Sequence, residues 1–238
     1  MNGQVAERTQ VSSTWNAAIP ALLVATFTTG VIDAVSVLGL GRVFTANMTG
    51  NVVFLGFALA GVPGYSMARA GVALVAFLAG AVVGGLLART FAHSRPHRWL
   101  AIASAFEAVT LLGAAILALG FDRTQLEPVG FLYLLIALTA VAMGVRNATA
   151  RRIAVPDLTT TVLTLTITGL GADSWLAGGS SPRLGRRLGA VIAMLAGAAA
   201  GALLVLALGV VVPLAASSAL TLIAAGLYFT QPSIGVEV

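Results

Sequence analysis

Three ionisable residues stand inside long apolar stretches of this chain: Asp33, Glu107 and Arg146. A charge placed in hydrocarbon costs several kcal/mol unless it is paired or hydrated, so such residues mark solute, ion or proton pathways. Asp33 lies two-thirds along its apolar run and reads as a site for a solute, ion or proton; the alternative has it capping a bend or bonding the Ser36 and Thr29 hydroxyls. Glu107 is a second acid of the same kind, or one half of a pair with a neighbouring helix. Arg146 could pair with Asp33, but the favoured reading sends it snorkelling to the surface beside Arg151 and Arg152. Amides and hydroxyls accompany the charges: Asn147 next to Arg146, then Asn47, Thr49 and Asn51 in one polar cluster, and Asp157 and Thr159 in another. Together these residues form the candidate substrate or ion pathway. Their ordinary role would be hydrogen bonding between helices, worth about 0.6 kcal/mol each.

What the chain lacks excludes other chemistries. Cysteine and lysine are both absent, which removes thiol nucleophiles, disulfides, cysteine zinc sites and Schiff-base catalysis. No Ser/His/Asp set, HExxH pattern or P-loop occurs. His93 and His97 are separated by Ser-Arg-Pro, which breaks any shared helical face, so they read as loop residues rather than metal ligands. No enzyme, metal or cofactor is therefore expected. The net charge is +5, yet all 13 basic residues are arginines and, Arg146 apart, they are scattered between apolar runs. They read as topology determinants and not as a nucleic-acid surface.

The elements that must position the candidates are membrane helices. Of the residues, 58% are hydrophobic and 9% charged, with a mean hydropathy of +0.99, whereas a soluble domain carries about 25% charged residues. Apolar runs fall at 17–40, 48–62, 70–88, 99–120, 128–150, 158–171, 188–208 and 210–229. Six are long enough to cross a hydrocarbon core of about 30 Å. The runs at 48–62 and 158–171 have 15 and 14 residues, so as helices they reach only about 22 Å. They read as half-membrane or re-entrant helices that meet near mid-membrane. Each opens on a cap, Thr45-Ala46-Asn47-Met48-Thr49 and Pro156-Asp157-Leu158-Thr159. A half-helix N-terminus attracts anions; Asp157 would answer its own dipole, whereas Asn47 is neutral and leaves room for a ligand anion. The polar stretch 1–16 reads as a cytoplasmic tail, and the run after it is too long, and carries an acid, for a cleavable signal peptide.

The arginines arbitrate the number of crossings, because cytoplasmic loops collect positive charge. With eight crossings they divide evenly and give no orientation. With six, Arg8, the three between 89 and 98, Arg151, Arg152 and the three between 183 and 187 share a side, opposite Arg42, Arg69 and Arg123. The expectation is six spans with both termini cytoplasmic, and with Trp15, Trp99 and Trp175 anchoring at that interface.

An internal repeat sharpens this. LAGAVVGGLL at 78–87 matches LAGAAAGALL at 195–204, GVIDA at 30–34 matches GVRNA at 144–148, and NMTGNV at 47–52 matches DLTTTV at 157–162, all in the same order. The fold expected is an all-α integral membrane protein of six transmembrane helices plus two short ones, with repeats at 17–120 and 121–238 in one membrane domain. Three crossings per half make the repeats inverted, an arrangement that in secondary transporters places the site at mid-membrane. Gly80/Gly84 and Gly197/Gly201 form GxxxG pairs, read as close helix packing rather than dimerisation.

The run Thr29 to Gly61, with D-A-x-S-x-L-G-x-G-x-V-F followed by F-x-A-N-M-T-G-N, resembles the YoaK-like family of bacterial integral membrane proteins. The resemblance implies a six-span protein of unknown activity whose signature falls here on Asp33 and on Asn47, Met48, Thr49, Gly50 and Asn51. The functional expectation is a small-solute secondary transporter of the bacterial inner membrane, driven by protons through Asp33. The alternative is a non-transporting scaffold or partner subunit. Its partners would be the lipid bilayer and a small solute, and a homo-oligomer is compatible with the sequence.

Overall fold

In the computed structural model the backbone is described for residues 2–91, 96–153 and 163–230, and side chains for 19–91, 98–153 and 163–226. Among the described residues the chain forms α1 (Asn2–Gly39), α2 (Met48–Leu59), α3 (Met67–Phe91), α4 (Pro96–Leu117), α5 (Val129–Ile153), α6 (Leu163–Ala172), α7 (Leu184–Leu208) and α8 (Val211–Thr230). Five stretches are long and apolar enough to cross a membrane: Ile19–Gly39, Met67–Phe91, Arg98–Gly120, Val129–Ile153 and Leu184–Leu208. In α8 the apolar stretch Val211–Gly226 is shorter. Each apolar run of the sequence thus forms a helix over most of its described length, and the described residues are all-α.

Three closely packed pairs build the frame: α1 with α7, α3 with α5, and α4 with α8. Small residues make the first two possible. A Cβ on Gly197 would collide with the Phe27 carbonyl oxygen, and one on Gly30 with the Met194 carbonyl oxygen. The α3–α5 seam repeats this, with Gly80 against the Val141 carbonyl and Gly144 against that of Phe77. Without a hydrophobic driving force in lipid, helices associate through such close backbone approach. The GxxxG pairs therefore serve packing within the chain.

The two ends of the bundle have different inventories. One gathers the start of the apolar stretch of α1 and the first turns of α4, α6 and α7 with the closing turns of α3 and α5, through contacts among Leu22, Ala88, Leu100, Ile153, Leu163 and Ala190. The other holds the main apolar cluster, where Leu40, Val43, Leu111, Leu135, Val205 and Leu214 close the bundle.

Helix α2 is as brief as the sequence predicts, at 12 residues, and 10 residues of α6 are described. Over their described residues, however, the two helices pack on different neighbours: α2 on α3 and α6 on α7. Val52, Val53 and Phe57 on α2, and Leu165 and Ile167 on α6, are exposed. Apolar side chains on these outward faces suit lipid, which is why the helices settle on the flanks rather than at the centre. Trp99 also departs from expectation: it is fully buried against Ala21, Ala88 and Leu100, while Trp175 is exposed. The start of α4 is packed inside the bundle at Trp99, so its indole fills a core position instead of an interface. His97 lies in the first turn of α4 rather than in a loop. His93, Asp157 and Thr159 lie outside the described residues.

Candidate functional site

Arg146 does not snorkel. Its residue is 5% exposed, because α5 faces α4 at this level and an acid waits there. Nε donates to Glu107 Oε2 at 3.1 Å and Nη2 to Glu107 Oε1, a bidentate pair of buried groups. Nη1 donates to the Ala25 carbonyl oxygen at 2.8 Å and to Thr29 Oγ1 at 2.9 Å, while Nη2 also reaches Thr221 Oγ1 at 3.3 Å. The guanidinium has five N–H donors in a fixed fork, and each has an acceptor here. One side chain thereby ties α1, α4, α5 and α8 together. Thr221 in turn donates to Glu107 Oε1 at 3.1 Å, and Ser218 to the Ala108 carbonyl at 2.7 Å.

The centre lies near the middle of the bundle. Thr29 is ten residues past Ile19 in the apolar part of α1, about 15 Å along the axis. A cavity of about 40 Å³ adjoins it, with Thr28, Ser104, Glu107, Arg146, Thr149 and Thr221 as its polar lining. Ala21, Leu100 and Ile153 wall it towards the end where α1 and α4 begin. That volume holds about three waters. Thr149 Oγ1 is buried on this lining and has no hydrogen-bond partner among the described residues.

Asp33 is one turn beyond Thr29 on α1 and is buried. Its carboxylate faces the Ala46 backbone N–H and lies within electrostatic range of Arg146. Oδ1 has no hydrogen-bond partner among the described residues. Ser36 bonds the Asp33 carbonyl rather than its carboxylate, and Thr29 bonds Ala25 and Arg146. The reading in which Asp33 bonds these two hydroxyls thus does not describe this acid.

The polar cluster after α1 is a hook. Asn51 is fully buried; its Oδ1 accepts from the Phe44 N–H at 2.9 Å and its Nδ2 donates to the Phe44 carbonyl and to Met48 Sδ. Asn47 caps α2 by accepting from the Gly50 N–H, as its position predicts. Gly50 has no side chain because a Cβ would strike the Phe44 ring. Phe44 stacks on Phe54, and Tyr65 meets Phe54 at a tilt and Phe57 edge to face, fixing α2 to the following loop. Thr49 is exposed and Asn147 is half-buried, with Nδ2 donating to the Met143 carbonyl. The structure therefore gathers Glu107 and Arg146, sets Asp33 beside them, and places Asn47 and Asn51 in the hook. Neither cavity described for the protein is lined by Asp33, Asn47 or Asn51.

Sequence reasoning missed Thr221 and Thr149, because threonine in a membrane helix usually bonds its own preceding turn and carries no distinguishing signal. It also read Arg187 only as a loop charge. Arg187 is buried, donating to the Gly169 carbonyl and to Asp173 Oδ2 at 2.7 Å, and so pins α6 to α7.

Comparison with known proteins bears on this geometry. A family model described as Protein of unknown function (DUF1275) matches residues 21–227. The chain is 32% identical over 146 residues to the UPF0700 transmembrane protein YoaK of Bacillus subtilis (strain 168). That match covers 61% of this chain and 62% of the relative, so the chain spans less than two-thirds of the relative's length. No solved structure matches.

Proposed function

The chain belongs to the DUF1275 family, and for this membrane protein we propose small-solute secondary transport across the bacterial inner membrane, driven by protons. The observation that carries the reading is Asp33: a buried acid with an uncommitted oxygen, beside a fully bonded Glu107–Arg146 pair at mid-bundle. Intramembrane ionisable groups are costly and belong by default to pathways.

The arrangement of ends supports six crossings in two inverted repeats. α1 and α4 begin at the same end, and α3 closes there, so α2 returns the chain to the end it left. α6 does the same after α5, at the opposite end. The α1–α7 seam then corresponds to the α5–α3 seam, each built from one helix of each half. With the positive-inside rule this orients both termini to the cytoplasm. Reporter fusions between α3 and α4 should report cytoplasm and between α2 and α3 exterior; a cytoplasmic connection between α2 and α3 would contradict the six-crossing reading.

A scaffold is the second reading, favoured by the saturation of Arg146 and Asn51 within the chain. Proteoliposome uptake screens under an imposed pH gradient separate the two. Transport predicts accumulation of at least one small solute by wild type and its loss in Asp33→Asn. A wild-type protein that moves nothing across a broad solute set supports the scaffold.

A further inference from the structure

The centre holds one arginine and two acids, and the arginine faces only one of them. Thr29, which accepts from Arg146 Nη1 at 2.9 Å, and Asp33 are four residues apart on α1. They share a face and lie about 6 Å apart along the axis. Asp33 keeps Oδ1 free of hydrogen bonds, and Arg146 is the charged side chain that acts on it among the described residues. A swing of the guanidinium by one helical turn would exchange a bonded carboxylate for an unbonded one. We infer that Arg146 alternates between Glu107 and Asp33, and that a single proton occupies whichever acid the arginine leaves.

The charges balance in both arrangements. With Arg146 on Glu107, as observed, the Asp33 carboxyl carries the proton. With Arg146 on Asp33, that proton has left the Asp33 carboxyl and Glu107 has taken one up. Each arrangement is neutral, whereas two bare carboxylates against one guanidinium would leave an uncompensated charge in hydrocarbon. The acids also differ in outlook. Glu107 lines the cavity, while Asp33 lies beyond Arg146, next to the apolar cluster that includes Ile32, Val35 and Ala46. Each exchange moves the proton between an acid on the cavity side and one on the closed side. The unpartnered Thr149 hydroxyl lines the same cavity as Glu107, a further polar group on that side.

This deepens the transporter reading and takes its purpose from it, but its test needs no solute. Asp33→Asn, Glu107→Gln and the double variant are purified in detergent and their thermal unfolding compared with wild type. Each single variant leaves one acid for Arg146 and should lower the midpoint modestly. The double variant strands the guanidinium and should lose at least twice the summed shifts of the singles, or fail to fold while both singles fold. A double variant whose loss equals that sum, or equals that of Glu107→Gln alone, overturns the exchange. So does Glu107→Gln failing to fold while Asp33 stands available. In a cryo-EM structure of Glu107→Gln, Arg146 should bond Asp33; an arginine still bonded to Gln at 107 contradicts the proposal. Non-additivity with an empty uptake screen would leave the exchange standing and remove the transporter reading, and the converse result would remove the exchange alone.

Discussion

The hook at 44–51 and the centre around Arg146 both bury polar groups, but they do so with different reach. In the hook, Asn51 bonds a backbone seven residues away, and every partner is neutral. In the centre, Arg146 bonds Glu107 across 39 residues and Ala25 across 121, drawing in four helices. A local, neutral network shapes one loop; a distant, charged one locks the bundle. Asp33 sits between them, facing Ala46 of the hook and sensing Arg146 of the centre. It is the acid that neither network satisfies, which is why the functional reading rests on it.

If the centre locks the bundle, Arg146→Met should have the largest effect, leaving Glu107 buried without its partner at a cost of about 3–5 kcal/mol. Denaturation of the purified protein would measure this. Adding Glu107→Leu to Arg146→Met should recover much of the loss, since an apolar pair of similar volume carries no stranded charge; no recovery would mean that the pair does more than neutralise itself. Asn51→Ala tests the hook and should cost about 1–3 kcal/mol, the penalty for orphaning the Phe44 backbone groups. Asn47→Ala removes only the α2 cap and should cost about 1 kcal/mol. Asp33→Asn should change stability least, within about 1 kcal/mol, because it breaks no ion pair and an amide oxygen can still face the Ala46 N–H.

The same difference in reach explains what was legible in the sequence. Most helix positions followed from apolar runs, and the brevity of α2 from the length of its run, whereas α1 begins at Asn2, ahead of its apolar run. The Asn47 cap was readable because its partner is three residues away. The role of Asn51 as a clamp was not, since a buried amide serves a ligand or a backbone equally well until the loop is folded. Arg146 could have snorkelled, and only the neighbouring position of Glu107 on α4 decides otherwise. Periodicity records which face of a helix is apolar, not which helix will stand beside it. For the same reason the short helices gave away their length but not their place on the flanks.

The most direct test of the account is the pH profile of uptake in proteoliposomes, taken for wild type and Asp33→Asn with one transported solute. The account predicts wild-type uptake that rises with an inward proton gradient, and an Asp33→Asn protein that folds and inserts normally yet has lost that dependence. An Asp33→Asn protein that transports with an unchanged pH profile would contradict it.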